Sequence, residues 1–81
     1  MIAQRIISTI EQYINGAYNA WTIGITDDPE RRRNEHGSPK YWHCWDTTME
    51  SIARSIEAYF LDKGCKGGGG GGSNPNYVYI F

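Results

Sequence analysis

The spacing of the large apolar residues changes along the first third of the chain. Isoleucine recurs at every fourth position near the start, at Ile2, Ile6, Ile10 and Ile14. This spacing predicts an amphipathic helix over residues 2–14, which Asn15-Gly16 ends. Beyond it the pattern alternates, so that Ile23 and Ile25 share one face of a predicted strand and Gly24 lies on the other. A glycine on that face lets another group approach the backbone closely.

A short polar helix is predicted after this strand. Asp28 has the side chain of an N-cap, and Pro29 suits the first helical position. The helix is expected to reach about His36, with Gly37 ending it. It contains no Leu, Ile, Val, Phe or Met. Because so short a helix is marginal in water unless it buries an apolar face, we infer that its sequence serves something other than packing.

A second amphipathic helix is predicted in the second half of the chain. Thr47 and Glu50 have the three-residue spacing of a capping box at its start. Ile52, Ile56 and Phe60 then fall on one stripe, which predicts that this face packs on the core.

Together these patterns predict one α+β domain over residues 1–81. A small three-stranded antiparallel sheet would be flanked by helices, and the N-terminal helix would precede or replace the first strand. The strands are expected at about 20–26, 41–46 and 77–81, and the helices at about 2–14, 29–36 and 48–63. The unbroken glycine run at 67–72 is expected to be a flexible loop, because glycine loses the most backbone entropy on ordering.

Composition narrows the class of protein. The chain has 81 residues and is 40% hydrophobic, which is enough for one fold with a small core. No apolar run approaches the roughly 18 residues that cross a bilayer, and the start of the chain lacks a signal-peptide pattern. We therefore expect a soluble, cytoplasmic protein with no membrane partner. Two cysteines are too few for a disulfide framework, so reduced thiols are expected.

Positive charge is concentrated in one short segment, although the net charge is −1. Between residues 31 and 43 the only acid is Glu35, and the cations there are Arg31, Arg32, Arg33 and Lys40. A near-neutral molecule has no bulk attraction for nucleic acid. A phosphate partner is therefore possible at this one place only.

Three side chains are candidates for chemistry. Arg32 and His36 share one helix face at i, i+4, and they combine a guanidinium fork for phosphate oxygens with an imidazole that exchanges protons near neutrality. The alternative is a solvated face, with His36 favoured by the helix dipole. Glu57 lies beside the apolar stripe of the later helix. It is either a ligand for a hard cation such as Mg²⁺ or the partner of Arg54 in a surface salt bridge.

The segment at residues 22–36 resembles the GIY-YIG nuclease family; it reads TIGITDDPERRRNEH. In that family a short strand precedes a turn and a helix, which carries an Arg eight residues after the motif Gly and often a His four residues later. Counted from Gly24, these positions are Arg32 and His36. The family's metal-binding Glu lies on a later helix and matches Glu57. The similarity is greatest to the structure-specific endonucleases that cut branched DNA.

The resemblance implies a metal-dependent endonuclease that hydrolyses DNA phosphodiester bonds, with branched or structured DNA as the partner. Glu57 would hold one Mg²⁺ or Mn²⁺ ion. Arg32 would stabilise charge on the phosphate, and His36 would assist proton transfer. Further cations would contact the DNA, namely Arg31, Arg33 and Lys40.

Two departures from the family pattern keep other functions open. Tyr18 is the candidate for the water-positioning tyrosine of the first half-motif, yet the three residues between it and Thr22 leave no room for a hairpin. Thr22 itself stands where the family has a second tyrosine. The alternatives are a catalytically inactive module that binds nucleic acid or a protein partner, and an interaction module that uses Tyr41, Trp42 and Trp45. The oligomeric state is open.

Overall fold

The computed structural model describes residues 2–68 and 74–81. Within them the chain forms three α-helices, one four-stranded sheet and a 3-10 turn at Tyr18–Ala20. The elements in chain order are α1 (Ile2–Ile14), β1 (Thr22–Thr26), α2 (Pro29–Glu35), β2 (His43–Asp46), α3 (Glu50–Lys63), β3 (Lys66–Gly67) and β4 (Tyr77–Ile80). The α+β class and the leading N-terminal helix are confirmed. No helix in the described part of the chain is long and apolar enough to cross a bilayer.

The ends of the first two helices follow the local signals in the sequence. Asn15 and Gly16 have φ angles of 49° and 82°, so the chain leaves α1 through the left-handed region that Gly and Asn tolerate best. Asp28 caps α2, because its carboxylate accepts a hydrogen bond of 3.1 Å from the backbone N–H of Arg31. Pro29 is the first helical residue. These predictions are confirmed.

The predicted capping box at α3 is wrong. The N-cap is Met49, which makes no capping hydrogen bond with its side chain. Thr47 is instead fully buried, and its hydroxyl makes contacts of 2.9 Å with the carbonyl of Met49 and 2.7 Å with that of Asn76. The hydroxyl thus ties the end of β2 to the segment before β4 rather than capping the helix, which begins at Glu50.

The sheet has four strands in the order β2-β4-β1-β3, so the predicted three-stranded antiparallel sheet is incomplete. β4 runs antiparallel to both of its neighbours, whereas β3 pairs parallel with β1 through Thr22–Lys66 and Ile23–Gly67. A strand of two residues is too short to show an alternating pattern, and glycine is uncommon in strands. The sequence therefore places Gly67 in the predicted glycine loop. The rest of that predicted loop, at 69–73, lies outside the described residues.

The two faces of the sheet are different. Ile23 pairs with Ile80 across the sheet and faces the hydrophobic core with α1 and α3. The buried apolar cluster comprises Ile6, Ile10, Ile14, Ile23, Ile25, Ala53, Ile56, Phe60, Cys65, Val78 and Ile80. Alternation along the strands sends Gly24 and its cross-strand partner Tyr79 to the opposite face. That opposite face is where α2 lies.

Candidate active site

Helix α2 brings two polar side chains to the sheet without contributing to the core. It has no buried residue, as its lack of aliphatic side chains predicts. Arg32 and His36 are half-buried, whereas Arg31 and Arg33 are exposed. The i, i+4 spacing therefore turns the predicted pair toward the protein and leaves the other two arginines in solvent.

Tyr79 is the residue that meets them. It is fully buried, and its hydroxyl lies 3.1 Å from Nε2 of His36. The hydroxyl passes close to the backbone of Gly24 and of Gly68, and a Cβ at either glycine would collide with it. The glycine in the middle of β1 thus makes room for a tyrosine from β4.

Three charged side chains influence the Tyr79 hydroxyl. Burial raises the pKa of Tyr79, the positive charge of Arg32 lowers it, and the carboxylates of Glu57 and Glu35 raise it. These effects need proximity, so the groups lie within electrostatic range of one phenol. The net shift is upward, and the hydroxyl is therefore protonated at neutral pH. His36 contacts this hydroxyl, and Arg32 and Glu57, which lie on two separate helices, are within electrostatic range of it.

Arg32 has a buried donor without a hydrogen-bond partner among the described residues. Its Nη1 forms an ion pair of 3.0 Å with Glu35. Its Nε is buried and has no hydrogen-bond partner among residues 2–68 and 74–81. A buried donor without an acceptor is costly and is rare outside sites with a special role. The guanidinium thus lies within electrostatic range of Tyr79 and has a buried N–H without an acceptor among the described residues.

Glu57 does not form the surface salt bridge with Arg54 that the alternative interpretation requires. Arg54 pairs with Glu50 at 2.6 Å, and Glu57 makes no hydrogen bond or ion pair with any described residue. Burial raises the pKa of Glu57, and the charge of Arg54 lowers it less strongly. A half-buried carboxylate without a partner suits a cation. Within the described ranges no three His, Cys, Asp or Glu side chains cluster as metal ligands, but Mg²⁺ is commonly held by one or two carboxylates and water.

Tyr18 lies elsewhere. Its hydroxyl donates a 2.7 Å hydrogen bond to Glu11, which together with burial raises the pKa of Tyr18 to about 12. Tyr59 donates to the other oxygen of Glu11 at 3.0 Å, so Glu11 joins α1 to both tyrosines. The structure brings Tyr79, not Tyr18, to Arg32 and His36. The sequence signal for Tyr79 was its place in the last strand, alternating with two aliphatic residues.

The cations predicted to contact DNA differ in how much of their positive charge is balanced by neighbouring carboxylates. Arg31 forms ion pairs with Asp27 at 2.8 Å and Glu35 at 3.7 Å. Arg33 donates to a backbone carbonyl in the turn after α2 at 3.3 Å. Arg33 and Lys40 are both exposed, and neither forms an ion pair within the described chain. They are therefore better placed than Arg31 to meet an anionic partner.

Four side chains from α2, α3 and β4 make up the candidate active site: Arg32, His36, Glu57 and Tyr79. They provide a guanidinium, an imidazole, a carboxylate without an ion-pair partner among residues 2–68 and 74–81, and a buried hydroxyl. Such a set can bind an anion and move a proton beside it. Comparison with models of protein families, with curated proteins and with solved structures finds no match to this chain.

Proposed function

We propose that this protein is a metal-dependent endonuclease that hydrolyses DNA phosphodiester bonds at the candidate active site. One observation carries the proposal: the buried Tyr79 hydroxyl lies 3.1 Å from His36 and within range of the charges of Arg32 and Glu57. Phosphoryl transfer gains mostly from positioning and from fixed charge near the phosphate. This combination of groups suits phosphoryl transfer. A solvated helix face, which is the alternative interpretation of Arg32 and His36, would not need a contact with a buried hydroxyl.

The strand pairing supports the resemblance to the GIY-YIG family. The resemblance calls for a tyrosine-bearing strand antiparallel to the strand that carries Gly24, and the three residues between Tyr18 and Thr22 leave no room for a hairpin there. β4, from the far end of the sequence, pairs antiparallel with β1 and sets Tyr79 opposite Gly24. We infer that β4 takes the place of the family's first strand and that Tyr79, rather than Tyr18, takes the place of its tyrosine. The strand that carries the tyrosine would then follow the strand that carries the glycine in the sequence, while the two strands would still pair antiparallel in the sheet.

The residues divide the work of hydrolysis as follows. Arg32 presents its guanidinium charge to a phosphate oxygen and stabilises the charge that develops there. A water molecule attacks phosphorus, and the bond to the leaving oxygen breaks as the new P–O bond forms. The proton of the water passes to the Tyr79 oxygen while the Tyr79 proton passes to Nε2 of His36, and the leaving oxygen takes a proton from solvent. A relay fits a tyrosine whose raised pKa keeps it protonated.

Glu57 is the residue that would hold the divalent ion. A bound Mg²⁺ or Mn²⁺ supplies positive charge for the phosphate and lowers the pKa of a coordinated water. Burial disfavours the ionised form of Glu57, and no ion pair with a residue in 2–68 or 74–81 offsets this cost. A bound cation would stabilise the carboxylate instead.

The test is nicking of supercoiled plasmid and of branched DNA with Mg²⁺ or Mn²⁺. Glu57→Gln should lower the rate about 100-fold or more, which corresponds to about 3 kcal/mol of lost stabilisation. Glu50→Gln is the matched control, because Glu50 lies on the same helix and pairs with Arg54 at the surface; it should cut at the wild-type rate. Absence of cutting by the wild type at high concentration, or equal rates in the two variants, would remove the proposal.

A catalytically inactive module that binds nucleic acid is the second candidate. The side chains of Arg33 and Lys40 favour it, because they are exposed and form no ion pair with any residue that the structure describes. Binding through such contacts should weaken steeply as salt rises. Salt-dependent DNA binding that is lost in the Arg33→Ala, Lys40→Ala double variant, with no cutting of any substrate, would select this function instead.

A further inference from the structure

An open cavity of about 240 Å³ lies next to the candidate active site, and three of its four lining residues are aromatic: Ala20, Trp21, Tyr41 and Phe81. Tyr41 is 65% exposed, and Trp21 and Phe81 are half-buried. Sites for drug-sized ligands have volumes of about 300–1,000 Å³. This smaller cavity therefore fits a single flat ring system better than an extended ligand.

The cavity is connected to the candidate active site by rings in contact. The ring of Phe81 lies 4.8 Å from the ring of His36 and 5.8 Å from that of Trp42. Trp42 in turn stacks on Tyr79 at 4.6 Å. Phe81 thus lines the cavity and also contacts the ring of His36, so the cavity and the His36–Tyr79 pair are neighbours.

A cation stands at the rim of the cavity. Nζ of Lys40 lies 5.7 Å from the centre of the Tyr41 ring, and the Lys40 side chain is exposed. The aromatic lining of the cavity, the ammonium beside its Tyr41 and the His36 ring next to its Phe81 are complementary to a nucleotide, with its flat base and flanking phosphates. An aromatic side chain from a partner protein could fill the cavity, but it would leave the Lys40 ammonium and the neighbouring candidate active site without a role.

We propose that this cavity binds one unstacked nucleobase of the DNA substrate, next to the phosphate that is cut. The proposal rests on the proposed function and names its substrate class: DNA with an unpaired nucleotide at the cleavage point. In a continuous duplex each base is stacked on its neighbours and cannot enter the cavity without leaving the helix. Stacking on aromatic rings accepts any base, so the site selects unpaired structure rather than sequence.

Binding is measured by fluorescence anisotropy of a short labelled oligothymidylate with EDTA present, so that no cutting interferes. Tyr41→Ala should weaken binding about tenfold, as expected for the loss of one stacking partner. Tyr41→Phe should bind like the wild type. Tyr13→Ala is the matched control, because Tyr13 is a 45% exposed tyrosine on α1 that does not line the cavity; it should also bind like the wild type.

A blunt, fully paired duplex of the same length should bind Tyr41→Ala and wild type equally. Undetectable binding of oligothymidylate to the wild type, equal losses in Tyr41→Ala and Tyr13→Ala, or an equal loss on the duplex would each overturn the proposal.

Cutting separates this proposal from the proposed function. The substrate is a duplex with a single-stranded flap, made with either a nucleobase or an abasic residue at the junction. A wild type that cuts both at one rate, matched by Tyr41→Ala, would overturn the cavity proposal and leave the nuclease standing. Tyr41-dependent oligothymidylate binding without any cutting would support the cavity and remove the nuclease.

Discussion

Replacing Gly24 by alanine would put a methyl group into space that Tyr79 fills. The added Cβ would collide with Oη and Cζ of Tyr79 and lie 2.9 Å from Cε2. Tyr79 cannot move away easily, because it is fully buried and Trp42 stacks on its ring at 4.6 Å. On the other side the hydroxyl is equally close to the backbone of Gly68.

The cost can be worked from this geometry. Forcing one methyl group into a filled site costs about 1–3 kcal/mol. For a domain of this size each kcal/mol moves Tm by about 4–8 °C, so a cost of about 2 kcal/mol lowers the Tm of Gly24→Ala by about 8–16 °C. The atom that must move first is the hydroxyl that contacts His36. Cutting should therefore fall together with stability.

Thermal unfolding followed by circular dichroism measures this effect, with Gly67→Ala as the matched control. Gly67 is also a strand glycine, but a Cβ there would meet only Leu61 Cδ2 at an ordinary 3.6 Å. Gly67→Ala should be neutral or stabilising by about 0.4–1 kcal/mol. Adding Tyr79→Phe to Gly24→Ala should recover part of the loss, because one of the colliding atoms is gone. If Gly24→Ala and Gly67→Ala melt at the same temperature, the close packing of Gly24 against Tyr79 is refuted.

The remaining predictions concern three other sites. Tyr18→Phe should nick DNA at the wild-type rate with a small loss of thermal stability, because its hydroxyl bonds to Glu11; a loss of cutting at unchanged stability would contradict this. Glu57→Gln should be more stable to urea than the wild type at neutral pH. Burial raises the pKa of Glu57 in the folded state above its value in the unfolded chain. The ionised carboxylate therefore lowers the free energy of unfolding in full at pH values above the folded-state pKa, and this loss of stability disappears as pH falls through that pKa. The urea midpoints of wild type and variant should therefore converge on acidification, and a constant difference would contradict the assignment. Cys44 should react with a maleimide in the folded protein and Cys65 only on unfolding, because burial shields Cys65 and raises its pKa; peptide mapping that finds both modified at one rate would contradict the fold.

The sequence predicted those elements whose apolar residues recur at a regular spacing or whose first turn is marked by a capping residue. Helix α1 has isoleucine on every fourth residue, and Asp28-Pro29 marks the start of α2 through a local hydrogen bond. Two other features depend on distant parts of the chain. Thr47 has the spacing of a cap but bonds to Asn76, 29 residues away. β3 exists because Lys66–Gly67 lies beside β1, and no pattern within two residues could indicate it.

The candidate site divides in the same way. Arg32 and His36 were predictable because one helical turn separates them, and Glu57 because it adjoins an apolar stripe. Tyr79 was not predicted, since it contacts His36 across 43 positions in sequence. That contact depends on β4 entering the sheet between β2 and β1, and the order of strands in a sheet is not a local property. Tyr18 is the candidate from sequence because Gly16-Ala17-Tyr18 is the nearest match to the family's first half-motif, but its hydroxyl bonds to Glu11 instead.

Single-turnover nicking by wild type and Tyr79→Phe, with the Tm of both proteins, tests most directly whether one buried hydroxyl joins these side chains into a working site. The substitution keeps the ring and removes the oxygen that contacts His36. We predict a fall in Tm of about 4–8 °C, as for the loss of one hydrogen bond of about 1 kcal/mol, and a fall in rate of about 100-fold or more. A Tyr79→Phe protein that nicks DNA as fast as the wild type would contradict the assignment of this site.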